Sequence, residues 1–399
     1  MCGIAGWWSP SGLRSDSQHV ARDMGAAIAH RGPDAEGVWL DKDAGLALSH
    51  RRLSIIDLSP LGGQPMHSPS GRFVIVYNGE VFNHAQLRRE LALGAGGGPR
   101  LRGHSDTEVI LAAIEAWGLG AAVRRFVGMF AFALWDRRER TLHLVRDRLG
   151  IKPLYYGWTG NTLIFGSELK ALARHPEFHG DIDRDAVALL LRYQCIPAPY
   201  CIYRGIRKLL PGTILTLTTA DAKNATAVTY WSAREVAEQS VANPFVGTDD
   251  EAADTLDALL RDSVGLRMLA DVPIGAFLSG GLDSSVVVSV MQALSDRRVK
   301  TFSIGSSDAE FNESHHALAV ARHLGTDHTE FIVTPEDARG VIPRLPALYD
   351  EPFADSSQLP TFLVSALARQ YVTVALSGDG GDELFAGYNR HVWVSRLWN

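Results

Sequence analysis

The sequence predicts two domains of different fold class. The first is an α+β domain of antiparallel sheets sandwiched by helices, and the second is an α/β domain with a doubly wound parallel sheet. The first half carries short apolar segments that end at turns, with few helical patterns between them. From Glu251 onward, strand and helix patterns alternate, which is typical of a parallel sheet. A length of 399 residues agrees with two or three domains.

Several short apolar segments in the first half are predicted as strands because turn residues follow each of them. These segments are residues 46–48, 73–77, 129–135 and 141–145. The last two are separated by five polar residues, 136–140, so we expect a hairpin there. Ser105 and Glu108 have the spacing of a capping box, and the apolar positions after them predict one buried face of a helix.

The second half is predicted as alternating helices and strands. In order, these are a helix with Leu256, Leu259, Leu260 and Val264, a strand at 276–278, a helix from Ser284, a strand at 301–304, a helix at 315–324, and strands at 328–333 and 372–376. The change of pattern sets the expected domain boundaries. Residues 1–231 form the first domain, 232–250 a polar linker, and 251–399 the second domain.

Composition excludes some classes of partner. The formal net charge is -6, from 39 basic and 45 acidic side chains, so there is no global attraction to nucleic acid or to an anionic membrane. No apolar run is long enough to span a bilayer, and the N-terminus does not have the pattern of a signal peptide. The three cysteines, Cys2, Cys195 and Cys201, fit no common zinc spacing. We therefore expect a cytoplasmic, reduced protein.

Cys2 directly follows the initiator methionine and is a candidate N-terminal nucleophile. Once Met1 is removed, the α-amino group of Cys2 can act as its base, since such a group has a pKa of about 7.7–8.0. The thiolate would attack a carboxamide carbon and expel ammonia. A cysteine at position two is more often without function when it stands alone, so this interpretation depends on residues elsewhere.

Five separated motifs support the nucleophile. They are CGIAG at 2–6, HRGPD at 30–34, RLSIID at 52–57, YNGEVFN at 77–83 and SDTE at 105–108. Together they closely resemble the class II glutamine amidotransferases, which are N-terminal-nucleophile enzymes. The resemblance covers the chain from its start to FGSELK at 165–170. It is specific because all five motifs must agree in order.

The resemblance implies a role for each polar residue of these motifs. The side-chain amide of Asn78 and the backbone N–H of Gly79 would form an oxyanion hole at a strand end. Arg52 would bind the α-carboxylate of glutamine with two parallel hydrogen bonds. Asp106, with Glu80 nearby, would hold the α-ammonium group. Taken singly, Arg52 or Asp106 would more often form a surface ion pair.

Residues 279–285, SGGLDSS, lie between a predicted strand and a predicted helix. Glycines let the backbone approach a phosphate, and a helix N-terminus offers free N–H donors. The hydroxyls of Ser279, Ser284 and Ser285 add donors, and Asp283 can hold the Mg²⁺ of a nucleotide. A plain Gly–Gly turn with a serine cap is the alternative. The pattern is not a Walker A loop.

A second glycine-rich turn, SGDGGDE at 377–383, also follows a predicted strand. Turns at the carboxyl ends of parallel strands can share one crevice, where ligands of such sheets bind. Asp382 is a candidate second metal ligand. Asp350 and Glu351 are two further carboxylates, either near this crevice or in a solvated loop.

The first loop resembles the pyrophosphate loop of the ATP-pyrophosphatase synthetases, which cleave ATP to AMP and pyrophosphate. The resemblance implies ATP-binding residues and two Mg²⁺ ligands, Asp283 and Asp382. The implied ATP-binding residues are Leu278, Ser279, Gly280, Gly281, Asp283, Ser284, Ser285, Ser303, Ser377 and Gly378.

The order of the two modules resembles the glutamine-hydrolysing asparagine synthetases over essentially the whole chain. The resemblance implies glutamine, aspartate and ATP as substrates, with Mg²⁺. The side-chain carboxylate of aspartate is adenylated in that family, and ammonia carried inside the protein displaces AMP. No nucleic-acid or membrane partner is expected, and a homodimer is left open.

Two features depart from that family. Asp379 stands where better-known members carry glutamate, so a proton-transfer or positioning role there rests on a shorter carboxylate. The sequence also stops at Asn399, soon after AGYNR at 386–390, whereas the family continues with a long helical segment that carries a lysine. We therefore expect a fragment in which the glutaminase set is complete and the synthetase set is not.

Other functions are left open by the sequence. A related enzyme could amidate another carboxylate, in a secondary metabolite, a peptide or a polysaccharide, or the chain could be a glutaminase only. A catalytically silent binding protein would be expected to lose at least one polar site residue, and the glutaminase set has lost none.

Overall fold

The structure is a computed structural model that describes residues 1–93, 101–218, 222–307, 312 and 314–398. The sequence also predicts a short glycine-rich, low-complexity loop at 94–99, and that segment lies outside the described residues. The chain divides into two compact units. One contains Met1–Pro244 together with Pro346–Ala354, and the other contains Phe245–Leu345 together with Asp355–Asn399.

The first unit consists of two antiparallel sheets with helices. Its strands are β1 (Gly3–Trp8), β2 (Ala35–Asp41), β3 (Leu46–Arg52), β4 (Met66–His67), β5 (Phe73–Val81), β6 (Gly128–Asp136), β7 (Thr141–Arg146), β8 (Tyr155–Thr159), β9 (Thr162–Gly166), β10 (Ile206–Lys208), β11 (Thr213–Leu217) and β12 (Ala227–Thr229). Its helices are α1 (Ser17–Ala27), α2 (His84–Ala92), α3 (Asp106–Trp117), α4 (Leu119–Arg125), α5 (Leu169–Leu172), α6 (Arg184–Tyr193) and α7 (Ala233–Ala242). The sheets have the strand orders β10-β8-β9-β1-β3-β2 and β12-β11-β7-β6-β5-β4.

The layers of this unit follow from the alternation of side chains along the strands. Along β5, Val74 and Val76 pack into the apolar cluster between the two sheets, whereas Ile75 and Tyr77 pack into a cluster with α2, α3 and α4. The outer face of the other sheet packs on α1, α5 and α6. The two sheets thus lie face to face between two layers of helices, which confirms the predicted α+β fold.

Two strands extend further than predicted, and both extensions carry site residues. Strand β3 continues to Arg52, and β5 continues to Val81, so the predicted strand end at Asn78 and Gly79 is wrong. Gly79 pairs with Phe130 inside the sheet, where a Cβ atom would overlap the backbone of Met129 and Phe130. Only glycine therefore allows the strand to continue at this point.

Helix α3 begins as predicted, but its capping differs. The hydroxyl of Ser105 accepts a hydrogen bond from the Glu108 N–H. The carboxylate of Glu108 does not return the bond and instead accepts from the N–H groups of Arg102 and Gly103. Residues 106–114 are all buried, so the helix is enclosed on every side and not along one face.

The second unit contains a parallel sheet. Its strands are β13 (Ile274–Phe277), β14 (Lys300–Ser306), β15 (Asp327–Val333) and β16 (Val374–Leu376). Its helices are α8 (Asp249–Arg267), α9 (Leu282–Ala293), α10 (Ser314–Leu324), α11 (Pro335–Val341), α13 (Gln358–Ala368), α14 (Gly381–Phe385) and α15 (Asn389–Trp398), and α12 (Leu345–Leu348) lies at the boundary between the units. The strand order is β15-β14-β13-β16, with every pairing parallel.

Helices cover both faces of this sheet. Ala276 of β13 packs in a cluster with α8, α9 and α10, whereas the next residue, Phe277, packs with α13. Because adjacent strand residues point to opposite faces, the helices lie on both sides and the predicted α/β class is confirmed. The predicted linker, 232–250, contains the exposed helix α7. Among the described residues, no helix is long and apolar enough to cross a membrane.

Candidate active sites

One pocket of the first unit brings together the residues predicted for glutamine chemistry. Its lining includes Cys2, Arg52, Asn78, Gly79, Glu80 and Asp106. Cys2 directly precedes β1, Arg52 ends β3, the next three residues lie in β5, and Asp106 begins α3. The pairing of β1 with β3 and the packing of α3 beside β5 explain why motifs distant in sequence meet here.

The thiol of Cys2 is held by the backbone of Leu53. Its Sγ lies 3.4 Å from the Leu53 nitrogen, which donates to it, and 3.6 Å from the Leu53 carbonyl oxygen. Burial raises the pKa of the thiol, and the Leu53 hydrogen bond offsets this only in part. Cys2 is therefore a neutral thiol at neutral pH, and it needs a base at the moment of attack.

Asn78 is fully buried, with 0% of its surface exposed. Within the described part of the chain, neither its side-chain nitrogen nor its side-chain oxygen has a hydrogen-bond partner. Buried polar groups are nearly always paired, so an unpaired amide in the pocket of a nucleophile indicates a ligand-binding group. This arrangement suits a donor to a developing oxyanion.

The guanidinium group of Arg52 is fixed by the loop that follows β3. It donates to the carbonyl oxygen of Ser59 at 2.9 Å and to that of Asp57. Gly62 gives it room, since a Cβ at that position would overlap the guanidinium. A guanidinium has five N–H groups, so this support leaves donors for a carboxylate.

Asp106 is held by two donors from β5. Its Oδ2 accepts from the Tyr77 hydroxyl at 2.7 Å and from the Val81 N–H at 3.0 Å. Burial raises the pKa of the carboxyl, and these two bonds offset part of that rise. An ammonium ligand would supply the positive charge that favours the ionised form.

Three lining residues were missed by the sequence analysis: Gln64, Tyr77 and Lys152. Gln64 accepts from the Tyr77 N–H at 2.7 Å and donates to Thr107 at 3.2 Å, which ties β5 to α3. Burial, followed by the charge of Arg31, lowers the pKa of Lys152 to about 8. Tyr77 stood in a quoted motif, but nothing local to Gln64 or Lys152 pointed to the pocket.

The two glycine-rich turns of the second unit lie together. Strands β13 and β16 are parallel neighbours, with Gly275 opposite Ala375, so both turns follow carboxyl ends at one edge. A Cβ on Gly378 would come within 2.7 Å of the Ser284 nitrogen. The second turn therefore contacts the first, as a shared crevice requires.

The hydroxyl groups of the first turn hydrogen-bond within it. Ser279 Oγ lies 2.9 Å from Ser284 Oγ and accepts from the Gly281 N–H at 3.2 Å, and Ser285 Oγ donates to the Gly281 carbonyl at 2.7 Å. Helix α9 begins at Leu282, two residues before the predicted start. The side chain of the predicted ATP-binding residue Leu278 is buried in the core, so only its backbone can meet a ligand.

Position 280 requires glycine for two reasons. Its φ is +82°, which is unfavourable for residues with a Cβ, and a Cβ there would lie 2.6 Å from the Ala317 nitrogen and 2.7 Å from His316. The turn is therefore packed closely on the start of α10. The predicted residue Ser303 lies in β14, buried, with its hydroxyl 3.1 Å from His328.

The two candidate metal ligands, Asp283 and Asp382, both lie in the helix starts at this edge. A Cβ on Gly381 would overlap the Asp283 carboxylate, so Asp283 lies against the second turn, whereas the Asp382 carboxylate packs against Gly387. Among the described residues, no group of three or more His, Cys, Asp or Glu side chains is placed so that it could hold a metal ion by itself. Two carboxylates completed by phosphate oxygens are the usual Mg²⁺ arrangement. Asp379 is exposed and accepts from the Ser377 hydroxyl at 2.9 Å.

Asp350 and Glu351 are not solvated loop carboxylates, and both are engaged within the first unit. Asp350 accepts from the Leu169 N–H at 2.6 Å and pairs with Lys170 at 3.3 Å. Glu351 accepts from the Ile202 N–H at 2.7 Å and pairs with Lys208 at 2.6 Å. These two residues were expected near the nucleotide crevice or in solvent because the sequence alone does not show the partners that fix them.

Comparisons with known proteins match the two halves of the chain to two different family models. The family model described as a glutamine amidotransferase domain matches residues 1–231, and that described as asparagine synthase matches 255–399. A protein of Methanocaldococcus jannaschii, named putative asparagine synthetase [glutamine-hydrolyzing] 2, is 37% identical over 98% of this chain and 76% of its own length. Asparagine synthetase [glutamine-hydrolyzing] 1 of Bacillus subtilis is 35% identical over 98% of this chain.

The matched relatives are longer than this chain. It spans 59% of the Bacillus relative and 60% of a Gibberella zeae protein named amidase chry2, which is 30% identical over 98% of this chain. The matches are nevertheless continuous across both units, and their order along the chain is that of the two modules. The chain belongs to the family of glutamine-hydrolysing asparagine synthetases.

Proposed function

We propose that the protein makes asparagine from aspartate, with glutamine as the nitrogen donor and ATP as the activating substrate. The first unit would hydrolyse glutamine, and the second would activate the acceptor carboxylate. The observation that carries the proposal is the buried, unpaired amide of Asn78 in the pocket of Cys2. No structural role explains an amide that hydrogen-bonds to nothing in the described residues.

The chemistry of the glutamine pocket follows from its groups. Removal of Met1 frees the α-amino group of Cys2, which takes the thiol proton as Sγ attacks the amide carbon of glutamine. Asn78 and the N–H of Gly79 stabilise the oxyanion. The proton then passes to the leaving nitrogen, ammonia departs, and water hydrolyses the thioester to glutamate.

Binding of glutamine would use the charged ends of the pocket. Arg52 binds the α-carboxylate, and its fixed guanidinium sets the direction of the substrate. Asp106 and Glu80 hold the α-ammonium group. The hydrogen bonds of Asp106 to Tyr77 and Val81 keep its carboxylate in place before glutamine arrives.

The second unit would activate aspartate. The turn at 279–285 binds the phosphates through backbone N–H groups and hydroxyls, and Ser377 and Gly378 complete the edge. Asp283 and Asp382 would hold Mg²⁺, which neutralises phosphate charge. A carboxylate oxygen of aspartate attacks the α-phosphorus, pyrophosphate leaves, and ammonia then displaces AMP from the acyl carbon. Asp379, which is exposed beside Ser377, would position a reacting group or accept a proton.

A different acceptor is the second candidate. The Gibberella relative is named an amidase, so members of this family carry more than one name for their activity. The acceptor would then be another carboxylate, with the same glutamine and ATP chemistry.

One reaction distinguishes these functions. Protein without Met1 is incubated with Mg-ATP, aspartate and amide-¹⁵N glutamine, and the products are measured by mass spectrometry. The proposal predicts ¹⁵N asparagine with AMP and pyrophosphate. Labelled ammonia and glutamate without asparagine would support the glutaminase and would leave two explanations, an incomplete synthetase site in this chain or another acceptor. Unchanged glutamine would overturn the proposed function altogether.

A further inference from the structure

After removal of Met1, the proposed nucleophile would be the first residue of the chain, with a peptide bond on one side only. Chain termini are poorly restrained unless other groups hold them. Cys2 lies outside β1, which begins at Gly3. Yet its thiol and its α-amino group must keep one geometry if the amino group is to act as the base. Some contact must therefore fix the backbone of Cys2.

Arg31 makes that contact. Its Nε donates to the carbonyl oxygen of Cys2 at 2.9 Å. The side chain runs along the start of β1, since a Cβ on Gly3 would come within 3.3 Å of the Arg31 Cδ. Arg31 is itself nearly buried, and its Nη2 has no hydrogen-bond partner in the described residues. Its orientation therefore depends on the few bonds that it does make.

Glu168 holds Arg31 from the other side. Arg31 Nη1 donates to Glu168 Oε1 at 2.6 Å, and the ring of His30 lies 3.1 Å from the same oxygen. Burial alone would raise the pKa of Glu168, but the bonds from His30, Lys170 and Arg31 lower it to about 2. The carboxylate is thus charged at any working pH and always pairs with Arg31.

The chain also fixes Glu168 beside Cys2. Ser167 forms two hydrogen bonds with Ile4: its hydroxyl accepts from the Ile4 N–H at 3.1 Å, and its own N–H donates to the Ile4 carbonyl oxygen at 2.9 Å. The residue after Ser167 is therefore placed at a defined distance from the start of β1. A carboxylate at 168 can reach Arg31 only because of this register.

Lys170 extends the contacts to a segment from the far end of the sequence. Its Nζ donates to Glu168 Oε2 at 2.6 Å and pairs with Asp350 Oδ1 at 3.3 Å. Asp350 belongs to Pro346–Ala354, which packs with the first unit although its neighbours in sequence on both sides belong to the second. We name Pro346–Ala354 the strap.

We propose that Glu168 and Asp350 are positioning residues for glutamine hydrolysis: Glu168 fixes Arg31 on the Cys2 carbonyl, and Asp350 fixes Lys170 on Glu168. This proposal rests on the proposed glutaminase function. The order of contacts is Cys2, Arg31, Glu168, Lys170 and Asp350. A purely structural ion-pair network is the alternative, because such networks also hold domains together.

The strap supplies a matched control. Glu351 carries the same charge, lies next to Asp350 and is anchored in a similar way, by the Ile202 N–H and Lys208, with a further bond from the Tyr155 hydroxyl at 3.4 Å. Within the described part of the chain, Ile202 and Lys208 form no hydrogen bond or ion pair with Arg31 or Glu168. Glu351→Gln and Asp350→Asn each remove one charge and keep an oxygen that can accept the backbone bond. Only the second touches the path to Cys2.

The experiment compares Glu168→Gln, Asp350→Asn, Glu351→Gln and the double variant of Glu168 and Asp350 in full-length protein without Met1. Glutamate formation gives kcat and KM. An electrophilic glutamine analogue that alkylates Cys2 counts the competent sites and gives a maximal labelling rate with its half-saturating concentration. Peptide mass spectrometry assigns the label to Cys2, and the exposed Cys195 is the internal reference.

We expect Glu168→Gln to lower kcat per labelled site, and the maximal labelling rate of Cys2, by about 10- to 100-fold, because small misplacements of reacting groups have effects of this size. KM should change little, since Arg52 and Asp106 bind the substrate. Asp350→Asn should lower kcat less, and Glu351→Gln should stay within about twofold of the unmodified protein. The double variant should match Glu168→Gln, because Asp350 acts through Glu168.

Three outcomes would overturn the proposal. They are an unchanged kcat per site in Glu168→Gln, equal losses in Asp350→Asn and Glu351→Gln, or a fall that disappears once the labelled sites are counted. Failure of the proposed function would be recognised separately. An unmodified protein that labels at Cys2 but releases no glutamate contradicts glutaminase activity, and the labelling rates of the variants still test the positioning role.

Discussion

The glutamine pocket and the phosphate edge are built in different ways. In the pocket, Arg52, Asn78 and Asp106 are buried, and hydrogen bonds within the protein hold the two charged groups. At the phosphate edge, Ser279 is exposed, and the hydroxyls of the first turn bond mainly to the backbone of the same turn, at Gly281. The first site is shaped before its ligand arrives. The second site offers backbone N–H and hydroxyl groups that would donate hydrogen bonds to a polyphosphate.

This difference sets what substitutions should do in each region. Changes in the pocket remove single groups whose positions are fixed, so they should have large effects on rate or on glutamine affinity. Changes at the edge act through the backbone of a turn, so they should have smaller effects spread over several contacts.

Cys2→Ala should lower glutamine-dependent turnover by at least about 10³-fold, because it removes the nucleophile. Asparagine formation with added ammonium should remain, since the second unit is untouched. Glutamate release and asparagine are measured in parallel, with the exposed Cys195→Ala as the control. Glutamine turnover that survives in Cys2→Ala would remove Cys2 from the mechanism.

Asn78→Ala should lower the kcat of glutamine hydrolysis by about 10²- to 10³-fold, the usual loss for one oxyanion-hole donor, with a small change in KM. The matched control is Asn83→Ala. The Asn83 amide is fully paired, with the Arg125 carbonyl at 3.0 Å and the Val127 N–H at 2.9 Å, so its loss should lower the melting temperature and not kcat. Equal effects of both variants on kcat would argue against an oxyanion role.

Asp106→Asn should raise KM for glutamine by about 10- to 100-fold, because a charge-assisted hydrogen bond to the α-ammonium is lost. The new amide oxygen can still accept from Tyr77 and Val81, so the pocket should keep its shape. Steady-state glutaminase kinetics measure the change. A fall in kcat with a constant KM would place Asp106 in another role.

Gly280→Ala should weaken ATP binding by about tenfold, since the new methyl displaces the turn from its packing on Ala317 and His316. Gly325→Ala is the matched control, because Gly325 also has a positive φ, +71°, with nothing within 4 Å of its Cβ position. Both variants carry the backbone strain, and only the first carries the collision. ATP–pyrophosphate exchange measures the difference, while glutamine hydrolysis should be unchanged in both.

Much of the fold was predictable because local patterns and global structure agree. Continuous apolar runs at 73–77 and 129–135 specify strands whose two faces are both buried. The parallel sheet followed from the alternation of helices and strands after Glu251. The continuation of β5 through Gly79 was not predictable, since glycine usually ends a strand and is required here only by the close backbone of Phe130.

The motifs predicted that four polar residues meet in one pocket, and the structure brings them together: Cys2, Arg52, Asn78 and Asp106. Their supports were not expected. Glu168 and Arg31 stood inside quoted motifs, but only the register of Ser167 on Ile4 shows that they touch. The partners of Asp350 lie about 180 residues away in sequence, and no local pattern encodes that contact.

The most direct test of the account is to trap the covalent intermediate. Protein without Met1 is mixed with glutamine, quenched with acid and digested, and the N-terminal peptide is examined by mass spectrometry. If Cys2 is the nucleophile, a γ-glutamyl thioester forms on Cys2. It should be more abundant at early times and absent when aspartate replaces glutamine. Glutamate release with no adduct on Cys2 at any time, or an adduct on another residue, would contradict that assignment.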